Sequence, residues 1–308
     1  MELRTILTFL KVAECNSFSR AAEKLGYSQS AVTVQIQQLE HELGSPLFER
    51  VGKGVKLTEQ GQNFIFHANE ILSAVEQAVG SARQGGAPQG SRHMTGTLRI
   101  GSVESIATAI LPPLLLEYHR RFPQVELVVS TARRDSLLDQ IRRNTLDLLL
   151  TLDPKLLYSG LQRLLIGEEP ILFIAPSSLS HLAGHPVPLE ELTRLPFVLT
   201  ERGESYRYEL DRILANLDSE LHAQLEIGNT ETIVHMVEAG FGLSFLPRFS
   251  AEEAIRRGAV FPVETDLPSV QMWIQLLYHK NKWISPPMRA FLDLLQEHFL
   301  CGSDRQHN

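Results

Sequence analysis

A short segment rich in glycine, QGGAPQG at residues 84–90, separates two parts of the chain that have different hydrophobic patterns. Before it, apolar residues recur every three or four positions, which is typical of helices. From residue 97 onward, short apolar runs that read as strands alternate with helical patterns. Because glycine and proline interrupt a helix, the segment predicts a linker. A chain of 308 residues is long enough for roughly two domains, so we predict one domain on each side.

Composition is that of an ordinary globular protein. Hydrophobic residues make up 43% and charged residues 21% of the chain, which disfavours a disordered or fibrous protein. No apolar run approaches the roughly 20 residues that cross a bilayer, and the start of the chain lacks a signal-peptide cleavage site. We therefore expect a cytoplasmic protein. The two cysteines, Cys15 and Cys301, are too few and too far apart for a disulfide framework or a metal cluster.

The negative net charge is unevenly distributed. A formal charge of -7, taken alone, argues against a nucleic-acid partner. The first 60 residues, however, contain seven Lys or Arg and seven Glu, so the whole negative charge belongs to the rest of the chain. If the protein binds nucleic acid, the first part must do so, through a few well-placed cations and not through a strongly basic surface.

Three helices are predicted in the first 44 residues. Apolar spacing indicates a helix over Glu2–Glu14 and a short one over Ser19–Leu25 that ends at Gly26. Ser28 can cap a third helix by accepting from the amides of its first turn. On that helix, an apolar stripe of Val32, Ile36, Leu39 and Leu43 opposes an outer face of Ser30, Thr33, Val34, Gln37 and His41. Two helices joined by a tight turn, the second with a polar outer face, are typical of a helix-turn-helix.

A hairpin and a long helix are predicted next. In LFERVGKGVKL, residues 47–57, two glycines flank Lys53 between short apolar runs, which indicates a small wing. Thr58 can cap a helix that runs to about Arg83. Its apolar positions are spaced alternately by four and three residues, namely Phe64, Ala68, Ile71, Val75, Ala78 and Ala82. So regular a seam favours pairing with a second copy of the chain; the alternative is a helix that packs on its own domain.

The second part reads as an α/β fold. Strands are predicted over residues 97–103, 125–131, 146–152, 171–176, 197–200, 223–228, 242–247 and 270–279. Helices are predicted to begin near Glu104, Asp135, Ser205, Thr230 and Ala251, and a last one over Pro286–Leu300. This alternation favours a parallel sheet with helices on both faces. About 210 residues is generous for one sheet, so we expect two α/β lobes, with the chain crossing near Gly167 and returning near Leu267.

The segment at residues 17–61, SFSRAAEKLGYSQSAVTVQIQQLEHELGSPLFERVGKGVKLTEQG, resembles the DNA-binding segment of LysR-type transcriptional regulators almost position by position. The positions that carry the resemblance are Ala21, Ala22, Leu25, Ser28 to Ser30, Ile36, Leu39, Glu40, Leu43, Gly44, Leu47 to Arg50 and Leu57 to Gly61. Further along, LRIG, TLDLLL and EAGFGLSFLP lie where this family has strands of its effector domain. The architecture thus extends over nearly the whole chain, although specific motifs are dense only in the first 61 residues.

The resemblance implies both a fold and a function. The fold is an all-α winged helix-turn-helix domain at 1–58, a linker and dimerisation helix with a hinge at 59–90, and an α/β effector-binding domain at 91–308 similar to periplasmic binding proteins. Its lobe I covers about 95–166 and 268–308, and its lobe II about 167–267. The implied function is a sequence-specific transcriptional regulator, switched by a small molecule bound between the lobes. The implied assembly is a homotetramer built from homodimers that binds double-stranded operator or promoter DNA and acts on RNA polymerase.

Candidate DNA-contacting residues lie on the third helix and the wing: Ser28, Gln29, Ser30, Thr33, Val34, Gln37, Arg50 and Lys53. A glutamine amide can bond both N7 and N6 of adenine, and Arg50 and Lys53 suit phosphate or minor-groove contact. Two positions depart from the family pattern: Thr33 stands where Ser is frequent, and Val34 where a cation is frequent. We therefore expect more reliance on thymine methyl groups. Without the resemblance, a merely solvated face is the preferred interpretation.

Candidate effector-contacting residues stand where strands lead into helices. They are Ser102, Thr131, Thr151, Thr200, Arg202, Asn229 and Thr230. In α/β sheets, ligands bind at the carboxyl ends of the strands, where helix amides and hydroxyls converge. Each residue alone is more readily explained as a helix cap. Arg202 can pair with a carboxylate of the effector, but Glu104 and Glu201 are expected close to it in this arrangement, so whether the effector is an anion stays open.

No catalytic motif emerges from the sequence. There is no P-loop, HExxH or nucleophile elbow, and the GFG at residues 240–242 lacks the third glycine of a dinucleotide fingerprint. A glycine lies between His181 and His185, and a proline follows His185 directly, which disfavours a helical zinc site. We therefore expect no enzyme activity, metal or cofactor. The alternative is a solute-binding module or α/β enzyme with a degenerate DNA-binding appendage; the missing signal peptide and the intact third helix disfavour it.

Overall fold

The computed structural model describes residues 1–51, 54–83, 94–280, 282 and 284–303. Contacts divide the chain into two compact units. The first contains the described residues up to 83 with short segments at 142–145 and 282–285, and the second contains the remainder. Among the helices so described, none is both long and apolar enough to cross a membrane.

The first unit consists of four helices and a hairpin. The helices are α1 (Leu3–Cys15), α2 (Phe18–Leu25), α3 (Gln29–Leu43) and α4 (Glu59–Arg83), and the hairpin pairs β1 (Phe48–Val51) with β2 (Gly54–Leu57). The Ser28 hydroxyl accepts from the Ala31 backbone N–H at 3.2 Å, as predicted. Gly26 and Gly44 end α2 and α3 in the left-handed conformation, which glycine adopts without strain. The predicted helix-turn-helix and wing are confirmed.

One apolar core holds the first unit together. It is formed by the buried residues Ile6, Phe9, Val12, Ala21, Ala22, Val32, Ile36, Leu39, Leu47, Ile65 and Ala68. The Phe9 ring lies 5.1 Å from that of Phe64 and 5.3 Å from that of Phe48, so it joins α1 to both α4 and the hairpin. Leu43 was predicted to belong to the buried stripe but is 38% exposed, because it lies in the last turn of α3, beyond the core.

The apolar side chains in the first half of the predicted α4 seam pack against other residues of the same chain. Ala68 is fully buried in the core of the first unit, and Phe64 and Ile71 pack against it. The prediction of one continuous intermolecular seam was therefore wrong for this half, because these side chains pack into the core of the first unit, where α4 lies against α1. Further along, Val75 is half-buried and Val79 is 44% exposed. The side chain of Ala82 lies outside the described residues.

The second unit alternates strands and helices. Its strands are β3 (Gly96–Ser102), β4 (Val125–Thr131), β5 (Leu148–Asp153), β6 (Leu161–Pro176), β7 (Phe197–Leu199), β8 (Ala223–Glu226), β9 (Ser244–Pro247), β10 (Val260–Val263) and β11 (Val270–His279). Its α-helices are α5 (Glu104–Ala109), α6 (Leu111–Arg121), α7 (Arg134–Arg142), α8 (Leu189–Leu192), α9 (Ser205–Ala215), α10 (Thr230–Glu238), α11 (Arg248–Arg256) and α12 (Pro286–Ser303), with a 3₁₀ helix over Ser177–Leu182.

The main sheet is mixed, so the prediction of a parallel sheet was wrong. Its strand order is β10-β6-β11-β5-β3-β4, and β9 also pairs with β6. Only the pairs of β3 with β4 and β5 are parallel; β6 and β11 run antiparallel to each other and to their other neighbours. The hydrophobic pattern of a single strand carries no information on its direction, and β6 and β11 are the strands that carry the chain between the lobes.

Both lobes are attached to this pair of long strands. Lobe I is built around β3, β4 and β5, and lobe II around the second half of β6 with β9 and β10, beside the two-stranded sheet of β7 and β8. Strands β6 and β11 pair from Val270 opposite Ile171 to His279 opposite Leu161, with a register shift between Ile274 and Gln275. The first half of β6 and all of β10 were not predicted; β10 is only four residues long and contains Pro262, which is uncommon inside a strand.

Glu169, on β6, is a buried carboxyl that gives the second unit a specific dependence on pH. Its Oε1 accepts from the Phe249 backbone N–H at 2.8 Å, and burial raises its pKa to about 7. In the unfolded chain the carboxyl has a pKa near 4.5, so between these two values the folded state binds more protons. The contribution of Glu169 to the free energy of unfolding therefore falls as the pH rises from 4.5 to about 7. Above that pH the contribution no longer changes.

Glu169→Gln removes this titration and keeps an oxygen acceptor for Phe249. From pH 4.5 to 7.5 the stability of the wild type relative to Glu169→Gln should fall by about 1 to 3 kcal/mol. Urea unfolding across this pH range measures the difference. Glu168→Gln, a substitution at the exposed neighbour, is the matched control and should follow the wild type. Identical pH profiles for Glu169→Gln and the wild type would show that Glu169 is not responsible.

Candidate DNA-binding and effector-binding sites

The outer face of α3 presents a mixed polar and apolar surface to solvent. Ser30 and Gln37 are exposed, and Val34 is 59% exposed, whereas Val32 and Ile36 on the opposite face are buried. The structure thus brings the predicted α3 residues to one end and one face of the helix. A side chain as apolar as Val34 gains by leaving water when a partner covers it.

Hydrogen bonds orient several of these side chains. The Ser19 hydroxyl donates to Gln29 Oε1 at 2.9 Å, which fixes the amide of Gln29 at the start of α3. The Thr33 hydroxyl donates to the Gln29 backbone carbonyl at 2.9 Å, so its proton is already used and its methyl group and lone pairs remain for contact. The hydroxyls of Ser28 and Ser30 lie 3.0 Å apart. Ser19 had not been predicted to belong to the site.

The wing is fixed against α3 by a residue that the sequence analysis had noted only as part of the family resemblance. Glu40 Oε1 accepts from the backbone N–H groups of Leu47 at 2.7 Å and Phe48 at 3.1 Å, where the hairpin begins. The Thr58 hydroxyl donates to the Pro46 carbonyl at 2.7 Å and accepts from the Gly61 N–H at 3.0 Å. These bonds set the position of the wing relative to α3.

The wing cations themselves are not described in full. The backbone of Arg50 lies in β1, but its side chain and the whole of Lys53 lie outside the described residues. Glu49 stands opposite Lys56 in the register of the hairpin, so its cross-strand neighbour is Lys56.

In the second unit, three of the predicted effector residues lie at one edge of lobe I. Ser102 ends β3 next to Thr131, the last residue of β4, and next to Leu150 of β5. Thr151 follows on β5. Ser102 and Thr151 are fully buried and Thr131 is exposed. The Ser102 hydroxyl donates to the backbone carbonyl of its neighbour Val103 at 3.0 Å.

The predicted residues of lobe II include two helix starts. Thr200 follows β7 and is buried, and its carbonyl accepts from Arg207 Nη1 at 3.1 Å. Asn229 caps α10, because its Oδ1 accepts from the Thr232 N–H at 2.8 Å, and Thr230 is the first residue of that helix. Arg202 is 67% exposed, and its guanidinium lies 3.3 Å from a carboxylate oxygen of Glu220.

Two carboxylates of lobe I join it to lobe II. Glu104, the first residue of α5, accepts from Asn229 Nδ2 at 2.8 Å and from the Thr230 backbone N–H at 3.1 Å. Asp153, at the end of β5, is fully buried and accepts from the Ser205 hydroxyl at the start of α9. The structure therefore places the start of two lobe II helices against lobe I. Neither carboxylate had been predicted as a site residue.

Asp153 is surrounded by donors, whereas other carboxylates near it are less well paired. Arg134 Nη1 lies 2.8 Å from Asp153 Oδ1, and the Tyr158 hydroxyl donates to Oδ2 at 3.3 Å. Burial, and then the nearby carboxylate of Glu104, raises the pKa of Glu204. The Arg133 guanidinium opposes this increase, whereas Asp153 and Glu201 add to it. The region between the lobes is therefore rich in negative charge.

Buried hydroxyls without partners lie in the same part of the molecule. In the described chain, the hydroxyls of Thr151 and Thr230 and the Oε1 of Gln275 have no hydrogen-bond partner. Thr151 and Gln275 are directly opposite each other on β5 and β11. Gln275 Nε2 donates to the Asp153 carbonyl at 3.1 Å, which orients its amide. Because an unsatisfied buried polar atom costs about 1 to 3 kcal/mol, such atoms frequently serve to bind a ligand or water.

Two other features of the described chain do not coincide with these residues. A surface pocket of about 540 Å³ is lined by Pro154, Glu209, Arg212, Ile213, Asn216, Leu217 and residues 268–271, none of which had been predicted. Among the described side chains, no group of three or more His, Cys, Asp or Glu is arranged to hold a metal ion.

A winged helix-turn-helix, a long helix and a two-lobed α/β domain together define a class of protein, the DNA-binding transcriptional regulators with an effector-binding domain. Two family models match the chain: "Bacterial regulatory helix-turn-helix protein, lysR family" over residues 3–62 and "LysR substrate binding domain" over residues 91–300. The chain belongs to the LysR family of transcriptional regulators. Members of this family are regulators and not enzymes, and DNA binding and small-molecule effector binding are typical of them.

Relatives of known sequence or structure agree with this assignment. The chain is 35% identical over 303 residues to the uncharacterized HTH-type transcriptional regulator YwqM of Bacillus subtilis. The aligned region covers 97% of this chain and 100% of YwqM. Full-length OxyR from Pseudomonas aeruginosa is 25% identical with a TM-score of 0.70, covering 97% and 94% of the two chains. LysG from Corynebacterium glutamicum, solved with bound effector Arg, has the same TM-score at 20% identity and covers 97% and 98%.

Proposed function

We propose that this LysR-type regulator reads a specific operator or promoter with α3 and the wing, and that a small molecule bound between lobes I and II switches it. It acts in the cytoplasm on RNA polymerase, as a homodimer and homotetramer. The proposed boundaries are 1–58 for the DNA-binding domain, 59–90 for the linker and 91–308 for the effector-binding domain. The observation that carries the proposal is the contact of Glu104 and Asp153 with the starts of α10 and α9 beside partnerless buried hydroxyls.

Base reading is proposed for Gln29, Ser30, Thr33, Val34 and Gln37, and DNA contact also for Ser28, with Arg50 and Lys53 on the DNA backbone or in the minor groove. The amide of Gln29, held by Ser19, retains its Nε2 donor and a free lone pair on Oε1. This is the pattern needed for N7 and N6 of adenine. The exposed methyl groups of Val34 suit the methyl group of thymine. Such contacts are neutral, so specificity rests on shape and hydrogen bonding more than on charge.

Gln29→Ala should weaken binding to the target duplex by about 1 to 3 kcal/mol and leave binding to a scrambled duplex unchanged. Fluorescence anisotropy with a duplex obtained by in vitro selection measures both affinities. Gln38→Ala, an exposed α3 position outside the proposed set, is the control and should bind both duplexes like the wild type. Ser19→Ala should show part of the effect, because it releases the Gln29 amide. Equal losses on both duplexes for Gln29→Ala would exclude base reading at this position.

Dimerisation is proposed through the second half of α4. Val75 and Val79 lie four residues apart and hence on one face, with Ala78 beside them. A second apolar surface lies at the free edge of the main sheet, where Val128 and Val129 of β4 and Leu116 of α6 are exposed. An exposed apolar strand edge is a ready interface. Two separate self-complementary surfaces are what a dimer of dimers requires.

Val79→Glu should reduce dimerisation and operator affinity together, because it brings two carboxylates into the α4 contact. Gln62→Glu, an exposed substitution near the start of the same helix, adds the same charge as a control. Sedimentation velocity reports the assembly, and circular dichroism verifies that the variant is folded. A Val79→Glu protein that still sediments and binds DNA like the wild type would refute the α4 interface.

Effector binding is proposed at Ser102, Thr131, Thr151, Thr200, Arg202, Asn229 and Thr230. Thr151→Val keeps the side-chain shape and removes a hydroxyl that has no partner within the protein, so the free protein should be as stable as the wild type or more so. A metabolite library screened by thermal unfolding supplies compounds; at 100 times its Kd a ligand adds about 2.7 kcal/mol. Thr151→Val should weaken the stabilisation by these compounds and the operator response to them, while basal DNA binding persists.

Thr193→Val, outside the proposed set at the end of α8, is the matched control and should respond like the wild type. Because coupling between two sites is reciprocal, operator DNA should change the affinity for the compound by the same factor as the compound changes the affinity for DNA. Compounds whose effect Thr151→Val leaves unchanged bind elsewhere and count against the cleft.

A further inference from the structure

The carboxylate of Glu104 lies at the start of α10, a position that normally attracts an anion. Its carboxylate accepts from the Thr230 backbone N–H at 3.1 Å, from Asn229 Nδ2 at 2.8 Å and from the Thr108 hydroxyl at 2.9 Å. The free amides and the dipole at the start of a helix favour negative charge there. The chain supplies that negative charge itself, from the opposite lobe, so an anionic effector would have to displace Glu104.

Displacement of Glu104 would be electrostatically unfavourable. Glu201 and Glu204 form no ion pair within 4.0 Å in the part of the chain that the structure describes. Arg134 is paired with Asp153, Arg202 lies 3.3 Å from Glu220, and Arg133 donates to the Arg202 backbone carbonyl at 3.1 Å. Arg133 also lowers the pKa of Glu204, so it offsets part of the negative charge, but the carboxylates of Glu104, Asp153 and Glu201 together oppose it. A released Glu104 carboxylate, together with a bound anion, would add negative charge where negative charge is already in excess.

An independent observation indicates that a ligand is expected beside Glu104. Thr230 is 1% exposed and its hydroxyl has no partner. This hydroxyl is separated by three covalent bonds from the nitrogen that donates to Glu104, so it lies within a few ångströms of that carboxylate. Across the sheet of lobe I, the Thr151 hydroxyl and Gln275 Oε1 are buried and partnerless in the same way. A hydroxyl and an amide oxygen can both accept from an N–H donor.

We propose that the effector carries a positively charged nitrogen group, an amine or a guanidinium, which pairs with Glu201 and Glu204, and that Glu104 is the residue that excludes anionic effectors. This inference rests on the proposed function, since it places the effector between the lobes. Glu104 acts as a specificity-determining residue, because its side chain occupies the amides that a carboxylate or phosphate group would otherwise bind.

The first test compares probes of equal length and opposite charge. Diamines with two to six carbons and the matching dicarboxylates are added to the full-length protein at constant ionic strength, and the thermal unfolding midpoint is measured. At least one diamine should raise the midpoint of the wild type, and no dicarboxylate should do so. In Glu204→Gln the diamine should need at least a tenfold higher concentration, because this variant loses one of the two carboxylates that pair with the amine. Glu190→Gln, an exposed substitution on α8, should behave like the wild type.

A second variant tests the anion position directly. Glu104→Ala frees the α10 amides, so acetate should raise its unfolding midpoint more than that of the wild type or of Glu190→Ala. Absence of this selective rescue would overturn the proposal, as would a wild type that dicarboxylates stabilise or that no diamine stabilises. If dicarboxylates stabilise the wild type and Thr151→Val abolishes their effect, the cleft remains the binding site and only the charge inference fails. If diamines stabilise Thr151→Val and Glu204→Gln as well as the wild type, the compounds bind elsewhere and the proposed cleft fails.

Discussion

The carboxylate of Asp153 is the interaction on which the arrangement of the effector-binding domain depends. It is fully buried at the end of β5, a strand whose six residues are all buried. An ionised group at such a position is tolerated only when charge and hydrogen bonds compensate it. Arg134, Tyr158 and Ser205 supply that compensation from three directions. Because Ser205 begins α9, the requirement to satisfy one buried charge also fixes lobe II against lobe I.

The DNA-binding domain is under a different constraint, because its first 60 residues have no excess of positive charge. Its hydrogen bonds hold backbone and side chains in fixed positions: Glu40 fixes the start of the wing, Ser28 caps α3, and Ser19 orients Gln29. A rigid surface of neutral groups discriminates between sequences by fit, and few cations contribute non-specific attraction. The effector-binding domain, residues 91–308, carries a net charge of -6 out of the total of -7, which disfavours contact between that domain and DNA.

The fold could be predicted from the sequence where local chemistry decides it. The Ser28 cap, the glycine ends at Gly26 and Gly44, and eight of the strands in the second unit follow from patterns that involve only neighbouring residues. Strand direction could not be predicted, because pairing of β11 with β5 and β6 joins segments more than 90 residues apart. The packing of Ala68 into the core likewise depends on where α1 and α3 lie.

The candidate sites divide in the same way. The face of α3 follows from helical periodicity, whereas Glu104 and Asp153 were missed because their partners Asn229, Thr230 and Ser205 are distant in sequence. A carboxylate at the first position of a helix looks like an ordinary contribution to that helix's own stability. The contacts by which Glu104 and Asp153 join lobe I to lobe II become visible only in the folded structure.

The paired strands β6 and β11 have a mechanical consequence. Backbone hydrogen bonds join β6 to β11 along their length, and over Trp273–Leu277 they also join β11 to β5. The register shift between Ile274 and Gln275 interrupts that ladder near Gly167, a residue without a side chain to resist rotation. The pairing that connects the two lobes therefore has one irregular point, on the β6 side of β11. We expect any rotation of one lobe against the other to be absorbed at this point, because the backbone ladder is weakest there.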